Sequence, residues 1–137
     1  MPWTVEYLAE KDLALIVAIG EILDEDARAL VEEILRLLKV HRSNLVLVDC
    51  SAAVTKASLP GLYRLPDYAT ALGAPWNIRV AVVIPLTRFR IETFHFFELV
   101  FRNAGYDVRL FDERKAAEEW LQRPAPVHVG TNPLAAA

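Results

Sequence analysis

Two short apolar runs constrain the fold of this chain more than any other feature. Residues 45–48 are continuously apolar, and residues 79–84 repeat the pattern after their first residue, Arg79. A run without polar alternation is typical of a strand buried on both faces. We expect Asp49 to end the first strand, and Pro85 to stop the second because proline lacks a backbone donor. Strands of this kind need helices on both sides, so the sequence predicts a layered α/β sheet.

The start of the chain predicts a hairpin followed by a helix. Residues 5–8 and 13–19 have strand character, and residues 10–12 supply the turn. Asp24 then precedes an amphipathic helix, because apolar residues recur there at helical spacing. The apolar positions of that helix are Ala27, Leu30, Val31, Ile34, Leu37 and Leu38. The opening hairpin makes the predicted sheet mixed.

Composition narrows the class of protein. The chain has 137 residues, 54% of them hydrophobic, which suggests one domain with a core that needs no metal or disulfide. Its net charge of -3 argues against nucleic-acid binding, since nucleic-acid binders are usually strongly basic. No apolar run is long enough to span a membrane, and the first residues do not form a secretory signal. The single cysteine, Cys50, fits the cytoplasm.

The segment over residues 51–73 follows a buried strand at its carboxyl end, the usual ligand position in an open α/β sheet. We expect Ser58 to cap a helix with Pro60 in its first turn. Pro66 removes an interior hydrogen bond, so this helix is expected to break or kink near Leu65. A lid, a partner surface and a kinked core helix remain open as its role.

A candidate ligand site combines this segment with the helix predicted over residues 87–104. Aromatic rings supply apolar area, tyrosine hydroxyls supply polar handles, and arginines at the helix start suit an acidic head group. Together they favour an apolar or amphipathic ligand, whereas dry packing of the same side chains is the alternative. The candidate residues are Tyr63, Leu65, Tyr68, Trp76, Arg88, Arg90, Phe94 and Phe97.

Two aliphatic residues on the polar side of the helix over 87–104, Ile91 and Leu99, are candidates for a dimer or partner interface. Scattered surface aliphatics are the alternative interpretation.

No set of residues predicts catalysis. Glu92, His95 and Glu98 form only a weak metal candidate, because zinc sites usually use more histidine or cysteine. The sequence has no glycine-rich phosphate loop, nucleophile elbow or cysteine pair. We therefore expect no enzyme activity, no metal and no cofactor.

The end of the chain carries a resemblance to a known family. Gly105 stands where a helix needs a residue at positive φ, and residues 108–111 are strand-like. Asp112 is expected to cap a last helix that buries Trp120. Over roughly residues 5–121, this pattern resembles the SpoIIAA-like branch of the STAS superfamily. The residues that carry the resemblance are Asp49, Gly61, Asn103, Gly105, Val108, Phe111, Ala117 and Trp120.

The resemblance implies a single-domain α/β fold, in which an opening antiparallel hairpin and then parallel strands make a mixed sheet of about five strands with helices against it. We expect that domain over residues 1–123 and a tail containing proline and alanine over 124–137. Ser58 lies near the family's phosphorylatable serine, but Ala57 replaces the usual acidic neighbour. We therefore expect Ser58 to be a helix cap and not a phosphosite.

The resemblance also implies a function. We expect a non-catalytic regulatory or interaction module that binds a protein partner or itself. The alternative is a carrier or sensor of a small apolar or amphipathic ligand, since the SpoIIAA-like branch is similar in fold to lipid-binding domains. A carrier needs a cavity of about 300 Å³ or more, whereas a partner module needs an exposed apolar patch. The sequence leaves both possibilities open.

Overall fold

The computed structural model describes residues 2–123, in which strands and helices alternate after an opening hairpin. The predicted tail over 124–137 lies outside the described residues. Among the described helices, none has the length and apolar character needed to cross a membrane. The elements are β1 (Trp3–Leu8), β2 (Leu13–Ile22), α1 (Asp24–His41), β3 (Leu45–Thr55), α2 (Leu59–Ala71), β4 (Arg79–Val83), α3 (Ile91–Asn103), β5 (Asp107–Phe111) and α4 (Arg114–Gln122).

The five strands form one mixed sheet in the order β1-β2-β3-β4-β5. β1 and β2 pair antiparallel as the predicted hairpin, with Leu8 opposite Leu13. β2, β3, β4 and β5 are parallel neighbours. The predicted fold class is therefore confirmed.

Helices cover both faces of the sheet, as the two apolar runs predict. In β3, Val46 packs with the core beneath α1, α2 and α3, whereas Leu47 packs with the core beneath α4. This alternation follows from the two-residue period of a strand, whose successive side chains point to opposite faces. The face beneath α1, α2 and α3 holds the larger core, and α4 covers the other face.

Arg79, at the start of β4, holds the end of α4 in place. Its guanidinium lies 4.3 Å from the centre of the Trp120 ring. It donates hydrogen bonds to the carbonyl oxygens of Trp120 at 3.0 Å and Arg123 at 2.8 Å. These carbonyls belong to the last turn of α4, where a cation is electrostatically favourable.

Two predicted ends were wrong. Asp49 does not end β3, which continues to Thr55 because β2 also continues, to Ile22, and the two strands keep pairing after β4 stops at Val83. The helix predicted over 87–104 begins only at Ile91, since residues 86–90 form an exposed loop.

The break predicted near Pro66 and the helix cap predicted at Asp112 were also wrong. The helix around Pro66 is not broken, because α2 runs without interruption from Leu59 to Ala71. Pro66 is buried on the same side as Leu65, so packing offsets the single hydrogen bond that proline removes. Asp112 does not cap α4, whose N-cap is Glu113; the Asp112 carboxylate instead accepts a hydrogen bond from Arg88 at 2.8 Å.

The burial of Trp120 gives a prediction for stability. Trp120 is 7% exposed and packs in the core beneath α4. We expect Trp120→Ala to lower the free energy of unfolding by about 3 kcal/mol or more, measured by urea denaturation. Trp76→Ala is the matched control, because Trp76 is 86% exposed and should change stability by about 0.5 kcal/mol or less. Equal effects of the two variants would contradict this assignment.

Candidate functional site

The segments that follow the parallel strands meet along one edge of the sheet, which we call the carboxyl edge. Because β2, β3, β4 and β5 run in the same direction, their carboxyl ends lie together. The edge therefore brings together Leu23, residues 56–58, residues 84–90 and residues 112–113. Ligand sites of open α/β sheets form at this edge.

Asp49 lies where β4 stops accompanying β3, since Asp49 opposite Val83 is their last pair. Its side chain is nearly buried and points toward α4, whose first residue is Arg114. Nε and Nη2 of Arg114 donate to one carboxylate oxygen of Asp49 at 3.1 and 2.9 Å. The backbone N–H of Ser51 donates to the other oxygen at 2.9 Å. The ion pair thus ties the start of α4 to the central strand.

The surroundings of Asp49 change its pKa in opposing directions. Burial raises the pKa, because it disfavours the charged carboxylate. Hydrogen bonds from Ser51 and the Arg114 guanidinium favour the charge and outweigh burial, so the pKa lies below its ordinary value of 3.8. Asp49 is therefore ionised at neutral pH, and its ion pair with Arg114 has a structural role.

This shift predicts a pH dependence of stability. A carboxylate whose pKa is lower in the folded than in the unfolded state stabilises the fold above the unfolded pKa and loses that effect as pH falls through the folded pKa. We expect wild type to exceed Asp49→Asn in unfolding free energy at pH 7, and the difference to shrink as pH falls below 3.8. Urea denaturation across pH measures this. The control Asp67→Asn changes an exposed carboxylate and should show no such convergence.

Ser58 caps α2, as the sequence predicts, and is also held by α1. Its hydroxyl accepts the backbone N–H of Gly61 at 3.0 Å and donates to the Asp24 carboxylate at 2.6 Å. The backbone N–H of Ser58 donates to the other Asp24 oxygen at 2.8 Å. Asp24, which begins α1, thus holds Ser58 through two hydrogen bonds. The Ser58 hydroxyl is therefore hydrogen-bonded to both Gly61 and Asp24.

Gly61 is required by the same contact. A Cβ atom added at Gly61 would lie 2.5 Å from Oδ1 of Asp24, which is fixed by its bonds to Ser58. We expect Gly61→Ala to lower the free energy of unfolding by about 1–3 kcal/mol through overpacking. In an Asp24→Ala background the same substitution should cost much less, and a double-mutant cycle in urea measures the coupling. Additive effects of the two substitutions would show that position 61 and Asp24 are not in steric conflict.

An apolar chamber lies beneath the carboxyl edge, between the sheet and α1, α2 and α3. Its volume is about 130 Å³. The space is smaller than the cavities of about 300 Å³ or more that hold drug-sized ligands. Its walls include Ile22, Leu30, Val48, Leu62, Val82 and Phe94.

Cys50 lines this chamber as an unreactive thiol. Burial, and secondarily the charge of Asp49, raise the pKa of Cys50 to about 12. Because the thiolate is the nucleophilic form, a thiol that stays protonated is a poor nucleophile.

The structure brings together some of the candidate ligand residues and separates others. Leu65, Phe94 and Phe97 line the chamber. Tyr68 does not line the chamber; it packs against the core and donates a hydrogen bond to the Glu32 carboxylate. Tyr63, Trp76, Arg88 and Arg90 are exposed and do not line the chamber.

The arginines and the interface candidates have separate surroundings. Arg88 pairs with Asp112, and the Arg90 guanidinium lies 5.4 Å from the centre of the Phe89 ring. Ile91 is half-buried against the core, whereas Leu99 is exposed on the outer side of α3.

Within the described residues, no group of three or more histidine, cysteine or acidic side chains is arranged to hold a metal.

Much of the chamber wall was missed from the sequence. Ala53 and Thr55 contribute because β3 continues beyond Asp49, and Ala27 and Val31 contribute from the apolar side of α1. The apolar spacing of α1 was a usable signal, but it indicates a buried face and not whether that face is fully packed. Thr93 was missed because it lies between charged Glu92 and apolar Phe94, where the sequence gives no signal for the side of α3 that it faces.

Comparison with solved structures identifies similar folds. A protein from Shewanella loihica PV-4, described as an uncharacterized protein from the DUF3478 family with a SpoIIAA-like fold, is 14% identical, with a TM-score of 0.55 over 87% of this chain and 91% of that chain. The anti-sigma factor antagonist SpoIIAA in its unphosphorylated form is 13% identical, with a TM-score of 0.44 over 86% of this chain and 96% of that chain. No protein-family model and no curated protein matches the chain. The chain has a SpoIIAA-like fold, as its sequence predicts.

Proposed function

We propose that this protein is a non-catalytic interaction module that binds a protein partner or a second copy of itself through the carboxyl edge. The observation that carries the proposal is a group of exposed apolar side chains along that edge. Large apolar side chains gathered at one exposed surface are typical of an interaction site. The group consists of Leu23, Leu86 and Phe89 at the edge, together with Leu59 and Tyr63 in the first turns of α2, which starts there.

The loop over residues 86–90 is the centre of the proposed surface. Leu86 is 83% exposed and Phe89 is 51% exposed. Arg88 and Arg90 have φ angles of 55° and 56°, a left-handed conformation that non-glycine residues rarely adopt. Strain of this kind concentrates at functional sites. The two arginines and Asp112 give the apolar surface a polar rim, as protein interfaces commonly have.

The single cysteine supports action in the cytoplasm, and the proposed role uses no cofactor or metal. Leu99 offers a second surface on α3, which the proposal treats as the alternative contact.

A charge placed on the loop tests the proposal. We expect the double variant Leu86→Asp with Phe89→Asp to lose self-association, measured by sedimentation velocity at tens of micromolar. Leu72→Asp with Trp76→Asp is the matched control, because these exposed residues lie at the opposite edge of the sheet. Leu99→Asp reports on the second surface.

A photo-crosslinking phenylalanine tests for a different partner. Placed at position 89 in the native host, it should capture one discrete protein, whereas the same group at position 76 should not. A strictly monomeric protein that also gives no specific crosslink from position 89 would overturn the proposal.

A second candidate function, carriage or sensing of a small apolar molecule, is favoured by the apolar chamber. The chamber has a volume of about 130 Å³ and lies beneath the same edge. Long-chain lipids need more space than this, so the candidate is restricted to small ligands.

A further inference from the structure

Thr93 is an unusual member of the chamber wall. It is 7% exposed and lies in the first turn of α3, with its side chain on the chamber. The Thr93 hydroxyl forms no hydrogen bond with any other residue among 2–123. By contrast, the hydroxyl of Thr55, another wall residue, accepts the backbone N–H of Ala57 at 3.3 Å. Thr93 therefore has hydrogen-bonding capacity that no other residue among 2–123 uses, on a side chain that lines the chamber.

The size of the chamber restricts what reaches Thr93. An engineered apolar cavity of about 150 Å³ stays dry and binds benzene. At about 130 Å³, this chamber fits a molecule of similar size. No charged side chain lines it, so a charged ligand would be buried without a counter-ion at a large cost in free energy. The fitting ligand is small, mostly apolar and neutral.

We propose that the chamber binds a neutral single-ring molecule with one hydrogen-bonding group, of the chemical class of phenol, whose polar atom bonds to the Thr93 hydroxyl. This inference rests on the second candidate function and names its ligand class. The apolar walls hold the ring, and Thr93 selects for the single polar group.

Phe97 limits the length of the ligand. A second apolar cavity of about 80 Å³ lies further along the interior. Phe97 borders both spaces, and its ring packs against Phe101 with centroids 4.8 Å apart. Val31, Ile34 and Val48 also border both spaces, so the two cavities are neighbours, and we expect removal of the Phe97 ring to join them. A substituent opposite the polar group of the ligand then has room to extend inward.

Phenol and toluene are the probes that test the role of Thr93, because they differ in one polar group. We expect titration by two-dimensional NMR to shift resonances of residues 27–34, 53–57 and 93–97. The isosteric variant Thr93→Val should weaken phenol binding about fivefold, the worth of one neutral hydrogen bond, and leave toluene binding unchanged or stronger. Thr55→Val is the control on the same wall, and its phenol affinity should stay close to wild type.

The outcomes separate this inference from the function on which it rests. If toluene and phenol bind equally and Thr93→Val changes neither, the hydrogen-bonding role of Thr93 is overturned while small-ligand carriage stands. If no probe binds in the chamber, both are overturned and the interaction module remains.

A longer ligand tests Phe97. We expect Phe97→Ala to raise the affinity for 4-propylphenol relative to phenol by about tenfold. Burial of about two methylene groups of the propyl chain is enough for a change of that size. Phe97→Leu, a milder substitution, should move the ratio in the same direction. An unchanged ratio in both folded variants would overturn the role of Phe97.

Discussion

The need to cover β3 and β4 on both faces determines the rest of the structure. Parallel strands with continuous apolar side chains are stable only between two layers. Among residues 2–123, three helices cover one face, whereas the nine-residue α4 is the one helix on the other face. That short helix is secured at both ends by arginine. Arg114 joins its start to Asp49, and Arg79 bonds to the carbonyls at its end.

The unequal lengths of the strands create the candidate site. β4 stops opposite Asp49, while β2 and β3 continue together to Ile22 and Thr55. The extension presents small side chains such as Ala53 to the α1 and α2 side, where a full-length β4 would otherwise supply further bulk. The chamber and the exposed loop over 86–90 both lie where the sheet narrows. The candidate site therefore lies where β4 ends before β2 and β3 do.

Sequence patterns predicted the features that depend on short-range periodicity. The apolar runs, the hairpin, the apolar spacing of α1, the Ser58 cap and the positive φ of Gly105 all follow from local chemistry. The features missed depend on distant partners. The length of β3 is set by continued pairing with β2, and α2 stays intact at Pro66 because its apolar side is packed. The pairing of Ser58 with Asp24 and the exposure of Trp76 likewise required the folded chain.

The position of α4 along the chain also has a consequence for synthesis on the ribosome. The strands that it covers are made first, and the helix is the last described element to emerge. Until then Leu13, Leu15 and Leu47 have no cover on that side of the sheet. A nascent chain in this state exposes an apolar surface of the kind that chaperones bind. For this fold, the apolar surface on that side of the sheet is covered only when this late helix has formed.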